Sequence, residues 1–422
     1  MPSPSVSSPS VPGDAASPAA AVAEAVPPAT PDALRTAQRV LVGLLGVAIP
    51  VSTAAANIFA AFTLLAVLAD RGFWHWVRRA WRDPVIAASL ALIAVLGLSI
   101  AYTSVAARLG WRDLLGHREL LLLGVFMYVC QAPRTARAAL WGLALGSAAS
   151  LVASLGMAAS GHLMLNAVPG NYMAFKTHTY HNLFVGLLGL CALAAALRVQ
   201  DLKRRIALGV LFALCAVDVL LLVLGRTTQL TFVMLLGLLA LMLVNRPWQR
   251  AAMLCGAALL IVAVALQPRV QQRYLMAVHE AEGYADGSHA ETSIGLRLSF
   301  WQNTLKIIQK APLLGMGLGS FRAEYEKVKP PDMPNYGNPH SDYLLVWAEN
   351  GLLGLGFFLT WIVIIARRVR RVHDDVRFLA AAAVFSMVVA SLANSFFTDF
   401  TTGMAFVFTL GAVLGYRPRG SA

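Results

Sequence analysis

The residue of this chain best placed to move a proton is a histidine between a proline and a serine, in Asn338-Pro339-His340-Ser341. An imidazole that is neutral near pH 7 is the usual general base. The sequence that follows has a helical pattern, and His340, Leu344, Trp347, Gly351 and Gly354 share one face at 3.6 residues per turn. Glycines on that face would let a neighbouring helix approach closely. The same position also suits a plain helix cap after Pro339, so both roles stand open for His340.

Two arginines could hold an anion. Arg226 ends an apolar block just before Thr227-Thr228-Gln229, at the tip of a helical hairpin, and Arg297 lies four residues before Trp301 in an amphipathic stretch. A guanidinium can donate two parallel hydrogen bonds to phosphate oxygens, which suits a diphosphate clamp. Equally, Arg226 could snorkel to the interface, and Arg297 could be solvated or paired with a loop carboxylate. Lys176, His178 and His181 cluster where another apolar block begins. Two histidines three apart can bind a metal, but no third ligand lies near them, and a polar group beside a phosphate site suits them better. Asp374-Asp375 is flanked by arginines and reads as a solvated loop. No Asp-x-Asp stands beside an outside site, so a nucleotide-sugar transferase holding Mg2+ is not indicated, and no metal or other cofactor is expected. Gly315-Met316-Gly317-Leu318-Gly319 follows no strand and reads as a tight turn between two loop helices, not as a dinucleotide loop.

The elements that must carry these residues are membrane helices. Of 422 residues, 58% are hydrophobic and 13% charged, whereas a soluble domain is roughly half apolar and a quarter charged. The expected fold is an all-α polytopic membrane protein, because the apolar blocks run to the roughly 20 residues needed to cross about 30 Å of hydrocarbon. Twelve spans are predicted. Two share 38–70, broken near Pro50-Val51-Ser52-Thr53 as a tight hairpin. The others lie at 84–104, 118–130, 138–158, 181–197, 206–224, 228–244, 251–267, 343–366, 378–396 and 400–416.

With a cytoplasmic N-terminus, the inside segments hold 21 Lys and Arg and the short outside ones 5, namely Arg108, Arg112, Arg118, Lys176 and Arg226. The remaining 8 lie in one long outside loop, and long loops escape the positive-inside bias. Both termini are therefore expected in the cytoplasm. The net charge of +13 is largely topological, and nucleic acid is not an expected partner.

The chain divides into a tail at 1–34, spans one to nine at 35–267, a helical outside loop at 268–342 between spans nine and ten, and the last three spans with a short tail at 343–422. The first 34 residues lack Lys and Arg and read as a disordered cytoplasmic extension, not a signal peptide. In the long loop, Val270–Glu282 and Glu291–Lys310 read as helices capping a cavity at the membrane surface. Cys130, Cys191, Cys215 and Cys255 lie in or at the edge of apolar blocks and form no disulfide framework or zinc site.

The stretch from Arg297 and Trp301 through Pro312-Leu313-Leu314-Gly315-Met316-Gly317, Phe321, His340-Ser341-Asp342-Tyr343-Leu344 and Glu349-Asn350-Gly351-Leu352-Leu353-Gly354 resembles the shared segment of the O-antigen ligase and polymerase superfamily. His340-Ser341, nine residues, then Gly351-Leu352-Leu353-Gly354 is similar to the ligase motif. The resemblance implies a bacterial inner-membrane enzyme of lipopolysaccharide biosynthesis with its site facing the periplasm. Such a ligase moves a finished glycan from undecaprenyl diphosphate to a sugar hydroxyl of lipid A–core oligosaccharide, without metal or nucleotide and with inversion. By the same resemblance His340 takes the catalytic histidine's place, and Arg226 and Arg297 match the two important arginines. The partners implied are the lipid-linked donor, the lipid A–core acceptor and the lipids of the inner membrane. Three alternatives remain at this level: an O-antigen polymerase, a protein O-oligosaccharyltransferase, and a flippase of lipid-linked sugars. The last would place ionisable residues near mid-membrane, where Asp218 is the clearest buried charge.

Overall fold

The computed structural model describes residues 30–164, 167–266, 271, 293–331, 333 and 335–417, and among them the regular structure is helical throughout. All but residue 271 of the predicted helix Val270–Glu282, and nearly all of the N-terminal tail, lie outside the described residues.

The first apolar run divides where expected. Helix α1 (Asp32–Val51) and α2 (Thr53–Leu68) are separated by Ser52, whose backbone is extended and whose hydroxyl accepts the Ala55 N–H at 3.3 Å. Gln38, early in α1, donates to Ala66 O at 3.1 Å at the end of α2, so the two run antiparallel as a hairpin. The chain then bends by 90° into α3 (Arg71–Ala80), capped by Asp70. Helix α4 (Pro84–Leu98) starts with Asp83 as cap and proline in the first turn, a strong start signal.

The middle of the chain supplies α5 (Ala107–Gly116), α6 (Glu119–Val129), α7 (Pro133–Ser160), α8 (His178–Ala196), α9 (Leu202–Val217), α10 (Arg226–Leu243) and α11 (Pro247–Ala265). A π-helical turn, Asp218–Leu222, prolongs α9. The predicted loop helix Glu291–Lys310 is α12 (Ser293–Lys310), followed by α13 (Phe321–Val328). Three helices close the described chain: α14 (Asp342–Val369), α15 (Asp374–Ala390) and α16 (Phe400–Gly415).

Six of these helical segments are long and apolar enough to cross a bilayer, or seven if the bent α2–α3 pair forms one span. Helices α10 and α16 are apolar but shorter, and α6 has 11 residues, about 16 Å, against some 30 Å of hydrocarbon. The predicted hydrophobic blocks thus lie on helices, and among the described residues six helical segments have the length and apolar character of an independent span.

Helices α1 and α7 meet through Gly43, Gly46, Gly142 and Gly146; a Cβ on Gly142 would stand 2.1 Å from Gly43 O. Helix α16 is central, with every residue from Thr401 to Gly415 buried. It is apolar all round, as a helix surrounded by helices must be. A separate small core (Phe300, Ile307, Ile308, Phe321, Tyr325 and Ala348) fastens α12 and α13 onto the start of α14.

The glycines before and inside α14 form one joint. Gly351 has φ +65° and ψ −170°, which breaks the helix, and a Cβ there would lie 2.2 Å from Leu313 O. The freed backbone groups on both sides are bonded by the glycine-rich turn: Met316 and Gly317 N–H donate to Ala348 and Glu349 O, while Leu352 and Leu353 N–H donate to Pro312 and Leu313 O. Gly315 and Gly317, both at positive φ, allow that approach. The expectation that Gly351 and His340 share a continuous helical face is thus corrected. His340 precedes the helix, Gly351 interrupts it, and what packs on Gly351 is the backbone of the turn, not a neighbouring helix.

Candidate functional site

His340 lies in the link just before α14 with φ +52°, one of two non-glycine residues at positive φ among the described residues. That conformation costs an L-residue about 1–2 kcal/mol and persists where surrounding structure imposes it. Here the Asn338 side chain accepts the His340 N–H at 3.0 Å, and Phe300 of α12 packs on the ring with centroids 5.6 Å apart. Ser341, not His340, occupies the N-cap of α14. The imidazole is half-buried, and burial together with the nearby charge of Arg297 holds its pKa below the usual value. Arg297 and Phe300 are both on α12, so this helix brings a cation and a packing surface to the histidine at once.

The ring opens on a cleft of about 290 Å3 lined by three segments distant in sequence: Thr177, Thr179 and Tyr180 at the start of α8; Asn338 and His340; and Asn394 to Thr402 between α15 and α16. The last wall is tied to the histidine's neighbour. Asp342, fully buried, accepts from Ser391 Oγ (2.6 Å), Phe396 N (2.8 Å), Phe397 N (2.7 Å), Thr398 N (3.2 Å) and Thr398 Oγ1 (2.8 Å). One carboxylate so satisfies a connection that would otherwise leave buried donors bare. Asp399 caps α16 through Thr401 N at 2.8 Å and also meets the Tyr180 hydroxyl.

No other predicted site residue is among the described residues that line this cleft. Lys176 is buried between Thr53 and Thr401, and burial lowers its pKa while Asp399 opposes the shift. His178 lies over Gly225, whose Cβ would stand 2.9 Å from its ring. His181 turns inward: its Nδ1 accepts the Ala174 N–H at 3.2 Å, which leaves Nε2 to donate to Asp218 Oδ2 at 2.8 Å. The two histidines therefore face different partners and do not form a shared ligand pair. Next to them, Asn182 donates to Val223 O at 2.9 Å and Thr228 Oγ1 at 3.1 Å, holding the turn from which α10 starts at Arg226. Arg226 thus begins a helix against the first turn of α8, and the neighbours of His178 in that turn line the His340 cleft.

Around the glycine-rich turn, Glu324 of α13 is buried. Burial alone would raise its pKa, but hydrogen bonds from Lys327 (2.5 Å) and Ser104 (2.9 Å), with Lys310 at 3.5 Å, take it below the usual carboxylate range. This network fixes the loop helices to the link after α4.

Arg226, Arg297, His340 and Gly351 all fall in residues 209–359, which match the family model described as O-antigen ligase. That segment, about a third of the chain, is similar to the O-antigen ligase family. A Haemophilus influenzae protein, itself named only as uncharacterized, is 32% identical over 101 residues, 23% of this chain. The chain spans 25% of the length of that relative. The matched segment and the apolar helices together point to a bacterial membrane protein.

Residue-type and spacing arguments singled out His340, which lines the cleft, but not Asp342, Tyr180, Asn394 or Asp399. Two local signals were present. Asp399 before Thr401-Thr402 is a helix-start pattern. Asp342 is an acidic residue at the head of an apolar run, where burial requires partners.

Proposed function

We propose that the protein is a metal-independent, inverting glycosyltransferase that moves an O-antigen glycan from undecaprenyl diphosphate to a sugar hydroxyl of lipid A–core. The observation that carries this reading is the position of His340. Burial and Arg297 favour its neutral form, and it faces a polar cleft at the head of a helix long and apolar enough to cross a membrane. A neutral imidazole can take the acceptor's proton as its hydroxyl attacks the anomeric carbon. The bond to the diphosphate then breaks, and the charge left on the departing phosphate is stabilised by Arg297 and Arg226. The hydroxyl and amide groups of Thr177, Thr179, Asn338, Asn394, Ser395 and Thr398 suit sugar hydroxyls.

In this reading the chain threads the inner membrane twelve times, with both termini in the cytoplasm and 268–342 forming a periplasmic cap. The buried Asp218 has His181 as its partner, an arrangement that serves packing as well as it would serve a transport path. A polymerase shares the donor and differs in the acceptor. The deciding experiment is transfer by purified protein, with lipid A–core in one arm and a second lipid-linked glycan in the other. Product on lipid A–core alone supports the ligase. Extension of the lipid-linked glycan alone would replace it with a polymerase.

A further inference from the structure

Helix α3 leaves α2 at 90°, with only Ala69 and Asp70 between them. Helix α2 is largely apolar, and Ile58, Phe62 and Leu65 stand exposed on it, as on a helix that meets lipid. Helix α3 holds Arg71, Arg78 and Arg79 within ten residues, with Arg82 just beyond, too much charge for hydrocarbon depth. With α2 upright in the bilayer, α3 therefore runs along the membrane surface.

Three sides follow from a rotation of about 100° per residue. Phe73, Trp76 and Ala80 form the inner one. Phe73 and Ala80 are buried, and the Phe73 and Trp76 rings pack on Tyr128 of α6 with centroids 5.2 and 5.6 Å away. The Tyr128 hydroxyl donates to Asp70, the cap of α3, at 2.8 Å, so the helix is held in place before anything binds it. Trp74, Val77 and Trp81 form a second side and are 50%, 37% and 60% exposed. Both indole N–H groups are satisfied by backbone, Trp74 on Leu68 O and Trp81 on Arg78 O, each at 3.0 Å, which leaves the rings as apolar surface. Arg71, His75, Arg78, Arg79 and Arg82 make the third side, all exposed.

The carboxylates that flank α3 in sequence are spent on local structure. Asp70 is buried and accepts from Gly72 N, Thr30, Gln38 and Tyr128, and Asp83 caps α4 through Val85 N. Among the described residues no ion pair joins Arg71, Arg78 or Arg82 to a carboxylate. Basic residues beside a span follow from topology, so charge alone would not make a binding surface. Topology does not order exposed tryptophans beside the arginines. Arg71, Trp74, Arg78 and Trp81 follow one another in steps of three and four residues, so cations and indoles alternate along one edge of the helix. That edge, between an apolar side and a cationic one, matches a layer with hydrocarbon below and phosphate above.

We propose that α3 is an in-plane helix that recognises anionic phospholipids. Trp74, Val77 and Trp81 enter the boundary between headgroups and acyl chains, and Arg71 and Arg78, beside them, hold lipid phosphates. Forked guanidiniums match phosphate oxygens, and an anionic lipid surface attracts each arginine near it. Because α3 is already fixed on α6, little ordering cost opposes the contact.

The test uses the full-length protein without its four native cysteines, carrying a fluorophore at Val77→Cys or His75→Cys, in phosphatidylcholine vesicles. The quenchers are iodide on both sides of the membrane and, at equal mole fraction, spin-labelled phosphatidylglycerol or spin-labelled phosphatidylcholine. Iodide should quench position 75 and spare position 77. Labelled phosphatidylglycerol should be enriched around position 77 roughly fivefold or more over labelled phosphatidylcholine, the preference expected of one arginine engaged at an anionic surface. Arg71→Gln with Arg78→Gln should bring the two lipids to parity without lowering the melting temperature, since both side chains are exposed. Arg134→Gln with Arg137→Gln removes the same charge from the exposed start of α7 and should keep the preference. Loss of preference in both double variants would reduce the effect to diffuse charge and overturn the site. Parity of the two lipids in the parent would overturn headgroup recognition. Iodide quenching as strong at 77 as at 75 would leave the tryptophan row in water, awaiting a protein, and would overturn the in-plane helix itself.

Discussion

His340→Asn isolates chemistry from structure at the centre of the cleft. The histidine has φ +52° and its N–H is held by Asn338, and asparagine is among the few residues that accept a left-handed conformation readily. The variant should keep the link before α14, whose cap is Ser341 in any case. What it loses is a neutral base, worth about 10² to 10⁴-fold in rate, or roughly 2.7 to 5.4 kcal/mol of barrier. The assay is transfer from a lipid-diphosphate donor by purified protein, with melting temperature measured on the same preparation. The expected result is an unchanged melting temperature with transfer down by at least a hundredfold.

The pH profile gives a second signature. A base works only when unprotonated, and burial followed by the Arg297 charge lowers the His340 pKa. The parent's rate should therefore hold down past pH 6.5, the ordinary imidazole value, and fall only below it. Arg297→Gln removes one of the two causes, so the acid limb should move to higher pH, whatever happens to the height of the plateau. An asparagine variant that transfers glycan at the parent rate, or an acid limb indifferent to Arg297, would remove His340 from the chemistry.

Four further outcomes are expected. Asp342→Asn leaves at least one of five donors without an acceptor, which should cost about 3 kcal/mol of stability in denaturant unfolding, with transfer falling as the cleft wall loosens; parent-like stability would refute the hub. Arg226→Lys and Arg297→Lys should recover little of the transfer lost in the alanine variants, because a point charge lacks the fork; full rescue would reduce either arginine to its charge. In a background without the four native cysteines, a membrane-impermeant thiol reagent applied to sealed cells should label Gln309→Cys and not Arg370→Cys; labelling at 370 would invert the topology. Transfer should survive EDTA, and activity lost in chelator but restored by Mg2+ or Mn2+ would reveal a metal site.

The sequence by itself determined the environment of the chain. Runs of apolar residues and the placement of Lys and Arg depend only on local hydrophobicity and charge, so the membrane character, the hairpin break at Ser52 and the helix ending at Lys310 were legible. His340 could be singled out because ionisable residues at the edge of apolar blocks are few, and Arg297 by its place in the amphipathic loop helix. Only the tertiary structure decided the rest. Gly351 reads as one more small residue on a helical face until Leu313 and Leu314, nearly forty residues upstream, are found against it. Asp342 becomes the hub of the cleft wall through donors 49 to 56 residues away. Lys176, His178 and His181 are a cluster in sequence and three separate contacts in space. The physical reason is common to all three. Helix periodicity specifies which way a side chain leaves its own axis, whereas a hydrogen bond or a backbone contact depends on which distant segment arrives there, and that is set by packing.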